Sequence, residues 1–182
     1  MKGIVFTEFL EMTEQHQTLA TVQHILDDAA LPHGGAYTAV GTYPAEEMGR
    51  ILAAHGQHTG EPARTTLLRF GSHLNASFER QYPDFFRHCA GPLDLLEGVD
   101  RHIHVEVRKL YPDAELPTFE CHRPAADTLV MVYRSRRGMA DLAEGLIRAC
   151  LTAWQAPHEI QREDFPGVPG THARFTLRVP EP

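Results

Sequence analysis

Three cysteines, Cys89, Cys121 and Cys150, are too few and too scattered along 182 residues for a secreted disulfide framework, and the odd count leaves at least one thiol free. Reduced structural thiols are the expectation. Positive charge is also scarce, with 17 Lys and Arg against 24 Asp and Glu and a formal net charge of −7. No basic stripe is available for a phosphate backbone, which argues against nucleic acid as a partner. No segment approaches the roughly 20 apolar residues of a membrane span. The N-terminal MKGIVFTEF has one lysine and an apolar run broken by Thr7 and Glu8, so it lacks the apolar core of a signal peptide. A cytoplasmic location is expected. Neither an internal repeat nor a low-complexity linker divides the chain, and its length suits one domain.

What is present is ordinary globular composition, 42% apolar and 23% charged, with one excess: twelve histidines, the commonest metal ligand. The first two thirds read as helix. Val5, Phe9, Leu10 and Met12, then Val22, Ile25, Leu26 and Ala29, recur at three- and four-residue steps. GTYPAEEMGRILAAHG predicts a helix with Pro44 in its first turn, Glu46 and Glu47 next, and Gly56 at its exit. Leu67 to Phe78 suggests another, and YPDFF a short one after it. From Pro92 to Tyr111 runs the longest helical pattern, with Leu96, Val99, Ile103, Val107 and Leu110 as one apolar stripe. The character then changes. PDAELPTFECHRP reads as loop or edge strand, DTLVMVYRS as a strand, Met139 to Trp154 as a helix, and HEIQRED and ARFTLRV as two closing strands. The order implies an α+β fold.

Two stretches carry chemistry. In VYRSRRG, Tyr133, Ser135 and Arg137 are spaced by two, so an extended chain would put them on one face, with Val130 and Val132 on the other. A phenol, a hydroxyl and a guanidinium together suit a carboxylate guest. An ordinary sheet face with a buried tyrosine and a surface arginine gives the same short pattern. In DRHIHVEVRKLYP, His102 and His104 lie about 200° apart on a helix, so at most one can face a given pocket. His104 falls beside Leu93 and Val107 at the margin of the apolar stripe, a position more often filled by a boundary residue than by a ligand. Taken together, one neutral imidazole in an apolar setting and an anion clamp on a sheet are what an iron porphyrin needs, an axial ligand and donors for its propionates.

The sequence resembles the haem nitric oxide/oxygen binding (H-NOX, HNOB) domain family, related to the haem domain of soluble guanylate cyclase. The resemblance runs through MKGIV, GTYP, LLRFGSHL, the segment H-VEVRKLYPDAELPTF, and YRSRR followed by LAEGLI. It implies a single H-NOX-like domain over residues 1–182, with a helical distal part over about 1–60 and a haem-holding proximal part over 61–182. The helical part would pack on a C-terminal antiparallel sheet with helices, and the haem would be buried between them. It further implies that the cofactor is haem b and that Tyr133, Ser135 and Arg137 bind its propionates. The family's proximal histidine stands thirteen residues before a proline that distorts the macrocycle, and counting back from Pro117 gives His104 as the iron ligand.

Oxygen-binding members carry a distal tyrosine nine residues beyond the motif tyrosine; here that position is Leu142. With Val5, Phe9 and Leu74 as the other lining positions, the distal pocket is expected to be apolar, to accept NO and CO, and to exclude O₂, which gains from a hydrogen-bond donor. His73 adjoins the pocket and could supply a donor if it turned inward. A separate effector is expected, in the family commonly a histidine kinase or a cyclic-di-GMP enzyme, and no catalytic residue is assigned. His55, His58, His158 and His172 are expected at the solvent surface. The competing reading is a haem-free module of the same fold that binds another small molecule or a partner.

Overall fold

The computed structural model describes residues 1–155 and 157–180. Helices α1 (Gly3–His16) and α2 (Leu19–Asp28) pack their apolar sides together; the α1 side holds Phe6, Phe9 and Met12, the spacing that one buried helix face requires. Thr18 opens α2 by accepting a hydrogen bond from the Thr21 N–H at 3.2 Å. Helix α3 (Ala45–Thr59) begins at Pro44 with Glu46 and Glu47 in its first turn. Its exit is Gly60, in the left-handed conformation at φ 71°, not Gly56, which lies inside the helix. Helix α4 (Ala63–Gln81) has 19 residues, more than any other described helix, and short α5 (Pro83–Arg87) follows it.

The Pro92 to Tyr111 region is helical but not one α-helix. It consists of α6 (Pro92–Gly98), a π-helical turn over Val99–Ile103, and α7 (His104–Leu110). The wider π turn breaks the expected stripe: Leu96 is buried, Val99, Ile103 and Val107 are half-buried, and Leu110 is 71% exposed.

Strands β1 (Thr118–Ala125), β2 (Thr128–Arg134), β3 (Glu159–Asp164) and β4 (His172–Arg178) form an antiparallel sheet in the order β1-β2-β4-β3, with helix α8 (Ala140–Ala153) between β2 and β3. One face is buried: Leu129, Met131 and Tyr133 stand opposite Leu177, Phe175 and Ala173. The other carries exposed Glu120, His122, Arg174 and Arg178. Tyr133 therefore lies on the face opposite Val130 and Val132, as expected, but its face is the apolar core face and theirs the half-buried outer one.

Two apolar clusters result. The first gathers Phe6, Phe9, Ile25, Ile51, Phe70 and other side chains of α1 to α4, together with Leu142 of α8. The second lies between the sheet, α6 and the opposite side of α8, with Ala140, Ala143, Ile147 and Leu151. Helices α4 and α8 cross at Gly71 and Gly145, where a Cβ on Gly71 would come within 2.4 Å of the Gly145 carbonyl carbon. Only glycine allows that approach. Beside the crossing, Glu144 is buried and receives Arg64 at 2.9 Å, Arg148 at 2.8 Å and Arg162 at 3.0 Å, joining α4, α8 and β3. Burial alone would raise its pKa, but the three guanidinium groups outweigh this and hold it below the usual carboxylate range. Among the described residues no helix is long and apolar enough to cross a membrane.

Candidate functional site

His104 is the first residue of α7, directly after the π turn, and its side chain is 12% exposed, whereas His102 is exposed. Its Nδ1 lies 3.0 Å from Asp100 Oδ1, one turn earlier. Burial depresses the imidazole pKa, more than the hydrogen bond and charge of Asp100 raise it, so the ring is neutral at physiological pH. A neutral ring that donates its Nδ1 proton to a carboxylate keeps its lone pair on Nε2, the arrangement that prepares a histidine to ligate a metal. Asp100 does not stand out in the sequence, where its one signal is the four-residue helical spacing to His104.

From His104 the site continues through aromatic contacts to the sheet. Its ring centroid is 6.1 Å from Phe119 of β1, and Phe119 is 5.5 Å from Tyr133, its register partner on β2. Phe119 was likewise missed, because nothing in PTFECH distinguishes a bridging ring from a core residue. Pro117 is half-buried just before β1, two residues from Phe119.

Tyr133, Ser135 and Arg137 are gathered, but not as three residues on one strand face. Strand β2 ends at Arg134, and Ser135 to Arg137 form a turn in which the Ser135 hydroxyl accepts the Arg137 N–H at 3.2 Å. The turn is pinned by the Ser135 N–H donating to Thr171 at 2.8 Å. Gly138 leaves it at φ 65°, where a side chain would also meet the Pro169 carbonyl at 3.0 Å. Burial raises the Tyr133 phenol pKa, against the hydrogen bonds from Ser135 and the Met139 backbone and the nearby charge of Arg137.

Arg137 is 14% exposed, and the one carboxylate paired with it among the described residues is Glu115 at 3.5 Å, itself 80% exposed. The guanidinium lies between two open clefts. One, about 800 Å³, is lined by Leu116, Glu115, Ser135, Arg136, Arg137 and His172; the other, about 680 Å³, by Met1, Glu46, Asp113, Arg137 and Met139 among others. His172 Nε2 is buried without a partner among the described residues. A nearly buried guanidinium with a long, solvent-exposed partner and an orphaned imidazole nitrogen is a donor set with capacity left for an acidic ligand.

The expected distal residues come together in the first cluster: Phe9, Leu74 and Leu142 are buried and Val5 is half-buried against them. His73 does not turn a donor toward them. Its Nε2 lies 3.1 Å from Glu8 on α1. His55, expected at the surface, is 1% exposed, with Thr59 Oγ1 3.3 Å from its Nδ1 and its ring edge-on to Phe9. Its burial follows from its place on the inner side of α3, one turn beyond Ile51. His172 is half-buried and stacked on Phe165 at 4.1 Å.

The sequence profile of the family described as Haem-NO-binding (HNOB) matches residues 2–162. The H-NOX protein from K. algicida, solved in the Fe(II) unliganded state, is 36% identical with a TM-score of 0.93, over 100% of this chain and 98% of that one. The H-NOX from Shewanella woodyi, solved with IWP-051 bound in the Fe(II)CO state, is 30% identical with a TM-score of 0.84, over 99% of this chain and 95% of that one. The S. oneidensis H-NOX in the Fe(II)NO state shares the fold at 22% identity and a TM-score of 0.89, over 100% of both chains. No curated protein matches the sequence. With the profile running through most of its length and the same architecture recurring in relatives at 30% and 36% identity, this chain belongs to the haem-NO-binding family of haem-binding gas sensors.

Proposed function

We propose that the chain binds haem b and senses nitric oxide, with CO as a second ligand and O₂ excluded. The observation that carries this reading is His104: a buried, neutral imidazole whose Nδ1 is held by Asp100, leaving Nε2 as the free ligand atom. When bound, the haem would supply a ferrous iron able to take up a diatomic gas. The protein's part is positioning. His104 would ligate the iron, and Tyr133, Ser135 and Arg137 would hold the propionates in the clefts beside the 135–137 turn, where Arg137 has donors to spare. Pro117, between Leu116 of the cleft wall and Phe119, would pack against the macrocycle. The sequence has no C-x-x-C-H attachment motif, which suits a haem held without covalent bonds.

Gas selection is assigned to Val5, Phe9, Leu74 and Leu142, none of which offers a hydrogen-bond donor. His73 is occupied by Glu8. Bound O₂ needs such a donor far more than NO or CO does. The signal is assigned to the tether between His104 and the metal. Helix α7 starts at that residue and presents exposed Val105, Glu106, Arg108, Lys109 and Leu110, a surface from which a partner could read whether the tether holds. A ligand shifts such an equilibrium only by its differential affinity for the two states. The proposed partner is a separate histidine kinase or cyclic-di-GMP enzyme, and the chain itself is proposed to catalyse nothing.

The test is an absorption spectrum of the purified, reduced protein before and after NO, CO and O₂. A Soret band that shifts with NO and CO and not with O₂ is expected. A preparation that stays colourless during titration with hemin overturns the reading.

A further inference from the structure

Outside the proposed haem site, one group of metal-ligating side chains is gathered among the described residues. Glu8, Glu11 and His73 each offer one ligand atom, all within 4.8 Å of one another. Glu8 and Glu11 are three apart on α1 and share a face, and His73 reaches them from α4, which packs against α1. We propose that these three residues form a site for a divalent transition-metal cation of the Zn²⁺ class, clamping α1 to α4 behind the distal wall.

The burial of Glu8 favours such a site as much as the proximity of the three does. Its residue is 6% exposed, yet its partners among the described residues are two neutral-capable groups: His73 Nε2 at 3.1 Å and Gln81, whose Nε2 donates at 3.0 Å. No lysine or arginine pairs with it there, in contrast to Glu144, which has three arginines. A buried carboxylate with no permanent cation beside it is costly, and a metal ion supplies a lasting positive charge. The spacing suits one. Zinc bonds of roughly 2.0–2.1 Å to nitrogen and oxygen, tetrahedrally arranged, separate neighbouring ligand atoms by about 3.3 Å, close to the observed His73 to Glu8 distance. Replacing the shared proton by the metal needs little movement of either side chain. Glu11 is exposed and accepts from Gln15 at 3.2 Å, so it can swing inward from the solvent side, where water would take the fourth position.

One imidazole and two carboxylates favour zinc and its transition-metal neighbours over Ca²⁺ or Mg²⁺, which prefer a fuller oxygen shell. Phe9 follows Glu8 and Leu74 follows His73 in sequence, so the clamp would hold two of the residues assigned to gas selection.

The site is independent of haem binding, and one experiment reads both. The protein, as purified, is freed of loose metal with a chelator, dialysed against Zn²⁺, and its zinc and iron are counted by mass spectrometry. Wild type is expected to hold one zinc per chain that both Glu11→Gln and His73→Ala lose, while His58→Ala keeps it. Zinc should also raise the melting temperature of wild type and not of Glu11→Gln, whose changed residue is exposed and leaves the fold intact. Equal zinc in wild type and Glu11→Gln, or none retained by wild type, overturns the proposal. The iron count reports haem separately in every sample.

Discussion

A single side chain, His104, concentrates the consequences at the residue scale. Its ring is neutral, buried and fixed by Asp100, so His104→Gly is expected to lose haem and to recover it when imidazole is supplied, read from the Soret band. Full haem occupancy without imidazole would remove it as the ligand. Arg137→Ala deletes a charged donor and is expected to speed haem loss to an excess of acceptor roughly ten- to a hundredfold, from about 1.5–3 kcal/mol for a hydrogen bond to a charged group. Leu142→Tyr places a phenol among Phe9 and Leu74 and is expected to create measurable O₂ binding, at a stability cost of about 1–3 kcal/mol for the larger ring. An oxygen titration of the reduced variant decides it. At this scale the sequence was informative where spacing alone sets geometry. The two-residue rhythm of Tyr133, Ser135 and Arg137 marked a group that does assemble. It did not reveal that Ser135 and Arg137 lie in a turn, because that depends on β2 losing its partners at Arg134 and on the Thr171 carbonyl from another segment.

Among the elements, α4 and α8 matter most, because their close crossing at Gly71 and Gly145 sets the distance between the two clusters. Gly145→Ala would drive a methyl group to within 2.5 Å of the Leu68 carbonyl oxygen, and the helices must separate to admit it. A loss of about 1–3 kcal/mol is expected, which lowers the melting temperature by roughly 2–12 °C for a chain of this size. An unchanged melting curve would show that the crossing is slack. Helix boundaries were legible wherever periodicity and punctuation agreed, as in α8 and at the start of α3, whereas the exit of α3 was not, because Gly56 lies inside a helix that runs on to Gly60. The π turn was not: its five residues, VDRHI, continue the apolar rhythm of their neighbours, and only the observed burial shows that the stripe rotates away before Leu110.

For the whole molecule, acid sensitivity follows from His55. Burial holds its pKa below the ordinary 6.5; nearby Glu61 opposes this and Arg69 adds to it. A group that binds its proton more readily unfolded than folded gives its full contribution above that ordinary value and loses it as the pH falls toward the folded one. Melting temperature is therefore expected to drop as the pH falls below about 6.5, and His55→Gln to flatten that slope. A slope unchanged by the substitution would assign it elsewhere. The position of His55 in the interior was hidden in the sequence, since LAAHGQHTG offers two histidines with similar neighbours and only packing against Phe9 separates them.

The two sides of α8 have a different consequence. Leu142 and Leu146 join one interior and Ala143, Ile147 and Leu151 the other, so neither interior can come apart while the other keeps its shared wall. The amides of this helix should exchange with deuterium only through events that open the entire chain, and heating should give one transition for a molecule with two hearts.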